Sequence, residues 1–327
     1  MHGAVVLTST PDVEDRVRAQ LQSLHRGVDV SELRVMPGGR SGLTYRVQAG
    51  SHSYVVKAVP SDQRPVGRND VLRQAQVLHA LAGSGVPVPT VVASSDEHPA
   101  WFAMTLEPGE SVEPALDAHE LSAALIRQRM LRLAGIQRRL HDLDVTTLAL
   151  PPQPALDPAG ELERWSRTLR AVPAELRPLG EELLSALAAD VPGGVSPALV
   201  HGDLRLGNVL CVAADITAVI DWEIWGIGDP RIDLAWFLLF SEPANFPGIG
   251  RPVTGLPGEE ELVRCYAGPG EELPDLLWFR ALARMKMAAI MGHNIKRHRQ
   301  GKHHDPVQEQ LPPTVAAMLR TGLALLT

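Results

Sequence analysis

Val200-His201-Gly202-Asp203-Leu204-Arg205-Leu206-Gly207-Asn208-Val209-Leu210 is the stretch whose reading decides the fold. Ala198-Leu199-Val200 runs into it as a short apolar strand, and Val209-Leu210-Cys211-Val212 leaves it as another. The loop between holds a carboxylate, Asp203, and an amide five residues later, Asn208. A carboxylate placed this way can orient a hydroxyl and accept its proton. An amide oxygen beside it is a hard ligand of the kind magnesium takes, together with phosphate and water. The following strand, Thr217-Ala218-Val219-Ile220, delivers a second carboxylate, Asp221, at its end. There it would reach phosphates through a shared metal. Transfer of a phosphoryl group to an alcohol needs these parts and little covalent chemistry from the protein. The same Asp–His pairing also occurs as a structural hydrogen-bond network, and Asp203 beside His201 could serve water activation in a hydrolase. No separate nucleophile motif accompanies it.

Working back toward the N-terminus, Tyr54-Val55-Val56-Lys57-Ala58-Val59 is a β-branched strand with a lysine inside it. A lysine in a buried strand is costly unless it meets an anion, and ATP phosphates would supply one. On an edge strand the same lysine simply faces solvent. One hairpin earlier lies Pro37-Gly38-Gly39-Arg40-Ser41-Gly42. Lacking side chains, its glycines let the backbone approach phosphates and offer N–H groups, though a plain hairpin turn reads the same way. The order of glycine turn, strand lysine, Asp–Asn loop and strand-end aspartate distinguishes the two readings better than any one part.

The organisation around these motifs is uneven. Pro11–Leu24 has helical spacing, and Leu33–Met36, Leu43–Val47, Tyr54–Val59, Thr90–Ala93 and Trp101–Leu106 read as strands, with one helix over Val71–Leu81. The remainder is helical: His119–Asp142, Leu162–Leu169, Glu175–Ala188, Asp229–Phe240, Pro274–Arg299 and Pro306–Leu325, broken by the loop Pro243–Gly258. The expected class is α+β, with an N-terminal lobe over 1–107 and a helical C-terminal lobe over 108–327, divided at the Glu107-Pro108-Gly109 turn.

The 327 residues carry a net charge of −7, so no basic field is present to hold nucleic acid or an anionic membrane. The longest apolar run, Leu234–Phe240, is too short to span a bilayer. Cys211 and Cys265 form no metal-like or CxxC spacing. These features, with no secretory leader pattern, place the expectation in the reducing cytoplasm.

The loop block, together with Ile220-Asp221-Trp222-Glu223 and Gly228-Asp229-Pro230-Arg231-Ile232-Asp233-Leu234-Ala235-Trp236, resembles the catalytic and metal-binding segments of the aminoglycoside phosphotransferase and choline kinase group of small-molecule kinases. Gly38–Val47 and Gly83–Pro89 are similar to its small lobe. The resemblance implies a protein-kinase-like two-lobed fold and ATP- and Mg2+-dependent phosphorylation of a small-molecule hydroxyl. It implies Asp203 as catalytic base, with Arg205 as a cation near the transferring phosphate. Asn208 and Asp221 would hold magnesium. Lys57 and the backbone of Gly38, Gly39, Ser41 and Gly42 would meet the phosphates, and Met104, Thr105 and Leu106 would reach the adenine hinge. His201 would brace the loop, with Asp229 and Asp233 tying down the helix start.

One departure stands out. Relatives pair the strand lysine with a glutamate on the small-lobe helix, and here Gln74 occupies that place, with Asp70 one turn earlier as the rival partner. This departure is the ground for the alternative of a nucleotide-binding, pseudokinase-like module. Trp222, Trp225, Trp236 and Phe246 read as core aromatics. Any that line the acceptor pocket make it more apolar than a polycationic sugar prefers. The Gly228–Trp236 pattern is also similar to the kinase-like domains associated with acyl-CoA dehydrogenases, which points to a hydroxylated metabolite or hydroxyacyl acceptor. The basic group Lys296, Arg297, His298, Arg299, Lys302, His303 and His304 reads as a solvated helix end, or else as a contact for an anionic substrate.

Overall fold

The computed structural model describes residues 11–26, 28–36, 43–117, 121–302 and 304–327. The glycine turn Gly38, Gly39, Ser41 and Gly42 lies outside them. The described chain divides into two compact units: residues 1–109 with 146–151 and 217–225, and residues 110–145 with 152–216 and 226–327.

The first unit is built on a five-stranded antiparallel sheet. Its strands are β1 (Arg34–Val35), β2 (Leu43–Ala49), β3 (His52–Ala58), β4 (Val91–Ser95) and β5 (Trp101–Thr105), in the order β1-β2-β3-β5-β4. Alternation along β3 sends Tyr54, Val56 and Ala58 into one core with Tyr45, Val47, Trp101 and Ala103. Helix α1 (Pro11–Leu24) closes that core with Val13, Val17 and Leu21. The period of two leaves Val55 and Lys57 on the opposite face. In register, Lys57 stands between Thr44 of β2 and Phe102 of β5, so it lies on an interior strand of the sheet. Helix α2 (Val71–Leu81) begins where Asp70 accepts a hydrogen bond from the Arg73 amide at 3.1 Å, a side-chain N-cap.

The second unit is mostly helical: α3 (Ala123–His141), α4 (Pro158–Arg170), α5 (Gly180–Ala189), α6 (Arg231–Leu238), α7 (Glu259–Ala267), α8 (Leu276–Arg299) and α9 (Pro312–Ala324). Helix α8 is buried on nearly every side, from Trp278 to Ile295, and is the axis on which α4, α5, α6 and α9 pack. Short strands β6 (Ala198–Val200) and β9 (Gly226–Gly228) pair antiparallel, with Leu199 opposite Ile227. β7 (Val209–Val212) follows the loop after β6, and β8 (Asp215–Val219) carries the chain across into the first unit after Ile216.

Several helices differ from their sequence expectation. Instead of one helix over Glu175–Ala188, a short 3-10 turn at Ala174–Leu176 stops before Pro178, and α5 starts only at Gly180. Proline has no N–H to give and pushes its predecessor out of the helical region; Arg177 sits at φ −131° and ψ 52°. Pro312 and Pro313, with no N–H to give, split the last expected helix although Leu311 keeps αR dihedrals (φ −80°, ψ −25°), leaving a 3-10 turn at Pro306–Gln310 before α9. Helix α7 was not foreseen inside the loop-rich region, although Glu259-Glu260-Glu261 is the acidic first turn that a helix N-terminus favours.

Candidate active site

In the second unit, Asp203 sits in a turn whose backbone is held from both sides. Gly202 adopts φ +86°, where a side chain would be strained. The Asp233 carboxylate accepts the His201 amide at 2.6 Å and the Gly202 amide at 2.7 Å. The role expected of Asp233, tying down a helix start, belongs to Asp229: it accepts the Arg231 amide at 3.0 Å and grips the Arg231 guanidinium at 2.6 Å. Asp233 clamps the loop instead. Burial alone would raise its pKa, but the hydrogen bond and electrostatic pull of His141 and the bond from the His201 amide outweigh that and hold it below the usual carboxylate range. His201 braces the loop as expected, its Nδ1 accepting from the Asp203 amide at 3.2 Å.

Both oxygens of the Asp203 carboxylate are engaged. Trp236 Nε1 donates to Oδ1 at 2.6 Å, and Asn208 Nδ2 donates to Oδ2 at 2.9 Å and to the Asp203 carbonyl at 2.7 Å. Arg205 Nε lies 3.4 Å from Oδ1. The side chain still keeps 28% of its exposure, so it is oriented without being sealed. Because Asn208 spends its NH2 group on Asp203, its Oδ1 is the atom left for a cation.

Arg205 spans two carboxylates: its Nη1 is 3.5 Å from Glu113 Oε2, and its guanidinium lies 5.3 Å over the Phe240 ring. Burial would lower its pKa, but the charges of Asp203 and Glu113 raise it. Glu113 is almost wholly buried. Its Oε2 accepts the Gly207 amide at 3.0 Å, and its Oε1 has no hydrogen-bond partner among the described residues. Desolvation pushes its pKa up to about 7, against the pull of Arg205 and the Gly207 amide.

In the first unit, Lys57 Nζ donates to Asp221 Oδ1 at 3.1 Å and to Gln74 Oε1 at 3.0 Å. Gln74 therefore fills the glutamate's place, while Asp70 is occupied as the α2 cap. Asp221 adopts φ +66°, a left-handed conformation sparse for non-glycine residues and typical of functional turns. Its loop is fastened to α2: Trp225 Nε1 donates to the Arg73 carbonyl at 3.0 Å, and the Arg73 guanidinium stacks 4.0 Å over the Trp225 ring. These groups border a slot walled by Leu78, Pro89, Phe102, Met104, Ile220 and Trp222, with Lys57, Gln74 and Asp221 at its polar end. Of the three residues expected at the hinge, Met104 lines this slot; the amides of Thr105 and Leu106 donate at 2.9 and 3.0 Å to the carbonyls of Thr90 and Ser53.

Asn208 Oδ1 in the second unit and, in the first, the Asp221 oxygen not spent on Lys57 are each hard oxygens of the kind magnesium takes.

Glu113, Lys286 and the bond from Trp236 to Asp203 were not foreseen. Trp222, Trp225, Trp236 and Phe246 are buried, as expected of core aromatics, but Trp236 also turns its N–H to Asp203. Lys286 had a signal of the same kind as Lys57, a cation embedded in the apolar run Met285-Lys286-Met287-Ala288-Ala289. In the basic cluster, Lys296 Nζ donates to the Ala171 carbonyl and Arg299 pairs with Glu309 at 2.7 Å, as a solvated helix end does; His303 lies outside the described residues.

Comparison with known proteins gives this geometry a family. Residues 32–262 match the model of the phosphotransferase enzyme family. The chain is 28% identical over 300 residues to acyl-CoA dehydrogenase family member 10 of Mus musculus, covering 85% of this chain and 28% of that protein. It is 31% identical over 225 residues to viomycin phosphotransferase of Streptomyces vinaceus, covering 62% and 75%. The chain spans between 28% and 41% of the length of the acyl-CoA dehydrogenase family relatives it matches. Among solved structures, a Ralstonia eutropha protein described as an aminoglycoside phosphotransferase superposes with a TM-score of 0.79 at 21% identity, over 95% of this chain and 97% of that one. Spectinomycin phosphotransferase in complex with ADP and spectinomycin superposes at 0.63 and 13% identity, over 95% and 98%. The chain belongs to the phosphotransferase enzyme family, on the protein-kinase-like α+β fold.

Proposed function

We propose that the protein transfers the γ-phosphoryl group of ATP, with magnesium, to a hydroxyl of a small molecule, and that Asp203 is the base. The observation that carries the reading is the Asp203 carboxylate, fixed by Trp236 and Asn208 at 2.6 and 2.9 Å yet still open to solvent. A carboxylate fixed in this way orients the acceptor hydroxyl and takes its proton as the oxygen attacks phosphorus and ADP leaves. Lys57 holds nucleotide phosphates, its amine aligned by Gln74 and Asp221. Arg205, anchored by Glu113, stands where a cation can offset charge developing on the transferred group. Asn208 and Asp221 would hold Mg2+, which when bound neutralises phosphate charge. The slot with Met104 takes the base, and Gly38, Gly39, Ser41 and Gly42 belong to the same reading as the phosphate turn.

For the acceptor, we favour a hydroxylated metabolite or hydroxyacyl compound over a polycationic sugar. The side chains that meet the Asp203 carboxylate support this, being Trp236, Asn208 and Arg205 rather than a ring of carboxylates. The acyl-CoA dehydrogenase names of the relatives point the same way. The division into a nucleotide-holding part near 1–107 and an acceptor-holding part near 108–327 goes with this reading, as does a place in the cytoplasm. No helix among the described residues is long and apolar enough to cross a membrane.

The test is a Mg-ATP consumption screen over hydroxylated metabolites, aminoglycosides and hydroxyacyl-CoA esters, with Asp203→Asn as blank. Phosphorylated product from the wild type alone supports the proposal. The uncharged Gln74 beside Lys57 favours a second reading, a nucleotide-binding module without transfer. Thermal stabilisation by Mg-ATP with no product from any acceptor would select it.

A further inference from the structure

We propose that Lys286 is a positioning residue of the transfer centre: it fixes the Gly202 carbonyl and, through the Trp236 indole, the Asp203 carboxylate. The inference rests on the reading of Asp203 as base.

Lys286 lies in the middle of α8 and is only 4% exposed. A buried ammonium is expensive unless its protons and charge are answered. Here Nζ donates to the Gly202 carbonyl and stands 4.0 Å from the centre of the Trp236 ring and 5.4 Å from that of Trp165. No carboxylate lies within ion-pairing distance of it among the described residues. Glu161 on α4, Asp203 in the loop and Asp233 on α6 face it from farther off, and Arg164 on α4 opposes them. The charge is therefore held by a carbonyl and two indole faces, which is directional holding rather than a salt bridge.

The consequences converge on one turn. Gly202 has its amide taken by Asp233 and its carbonyl by Lys286, so the peptide groups preceding and following its left-handed Cα are both pinned. The next residue is Asp203. On the other side of the same cation, the Trp236 ring carries the N–H that donates to Asp203 Oδ1 at 2.6 Å. A cation over an indole face draws electron density from the ring and makes its N–H a better donor, so the two bonds reinforce each other. Lys286 thus reaches the reacting carboxylate by two routes and touches neither nucleotide nor acceptor.

The experiment compares wild type, Lys286→Met, Lys286→Gln, Trp236→Phe, the Met/Phe double variant and Asp203→Asn. Hydrogen exchange of the free protein reads the loop directly. Lys286→Met should speed exchange of the amides of residues 201–203 and leave those of β4 and β5 unchanged, while Lys286→Gln, which keeps a donor, should fall between. In Mg-ATP turnover to ADP, Lys286→Met should lower kcat about 10–100-fold, the usual cost of losing a residue that orients a reacting group, with KM for Mg-ATP unchanged. The double variant should be little worse than the poorer single one, because both act through the same carboxylate. Thermal midpoints separate these effects from unfolding, and Lys286→Gln keeps the test open if the Met variant does not fold. Unchanged loop exchange, or effects of Lys286→Met and Trp236→Phe that multiply, would overturn the proposal. Wild-type kcat in Lys286→Met beside a dead Asp203→Asn would overturn it alone. Full turnover in Asp203→Asn would instead overturn the reading of Asp203 on which it rests.

Discussion

At the scale of single residues, the site is a set of side chains with their freedom removed. Asp203 has a donor on each oxygen, and its replacement by Asn should cut turnover by roughly 10²–10⁴-fold, the range a general base contributes. Lys57 is a finer case. Its Gln74 partner is neutral, so the bond draws its strength from the lysine's charge alone. Gln74→Ala should raise KM for Mg-ATP on the order of tenfold, the worth of one hydrogen bond to a charged group, as steady-state kinetics would read. Glu113 gives a pH signature. Desolvation places its folded pKa near about 7, above the ordinary value of 4.5. The folded protein then binds a proton that the unfolded chain has released, so this contribution is whole below pH 4.5 and is lost as pH rises toward 7. The loss is on the order of 3 kcal/mol at most. Thermal midpoints of the wild type should fall across that window relative to Glu113→Gln; parallel curves would contradict it.

Elements explain which residues could be read in advance. The bounds of α2 follow from the sequence because local chemistry sets them: Asp70 caps the start, and Gly83 and Gly85 prevent continuation. That cap yields a prediction of its own. Asp70→Ala should cost about 1 kcal/mol in chemical denaturation without changing KM for Mg-ATP, which separates Asp70 from Gln74. The strand carrying Lys57 and the loop carrying Asp203 and Asn208 were legible because their signals are contiguous, a charge inside a β-branched run and a polar loop between two apolar strands. The bonds of Trp236, Glu113 and Lys286 were not, because each acts across a gap of 33 to 92 residues that periodicity does not span. The element errors have local causes too. Pro178 and Pro312 each cut an expected helix, and the acidic start of α7 was hidden inside a glycine- and proline-rich stretch.

For the whole molecule, the two units carry different kinds of chemistry. The first offers an apolar slot with an ammonium at its end, and the second a caged carboxylate. The central claim is that Asp203 accepts the proton of a hydroxyl as that hydroxyl is phosphorylated. The most direct measurement is 31P NMR of Mg-ATP incubated with a panel of hydroxylated small molecules and either wild type or Asp203→Asn. The account predicts a new phosphomonoester resonance with ADP from the wild type, and none on the same timescale from the variant. An equal yield from both proteins would contradict it.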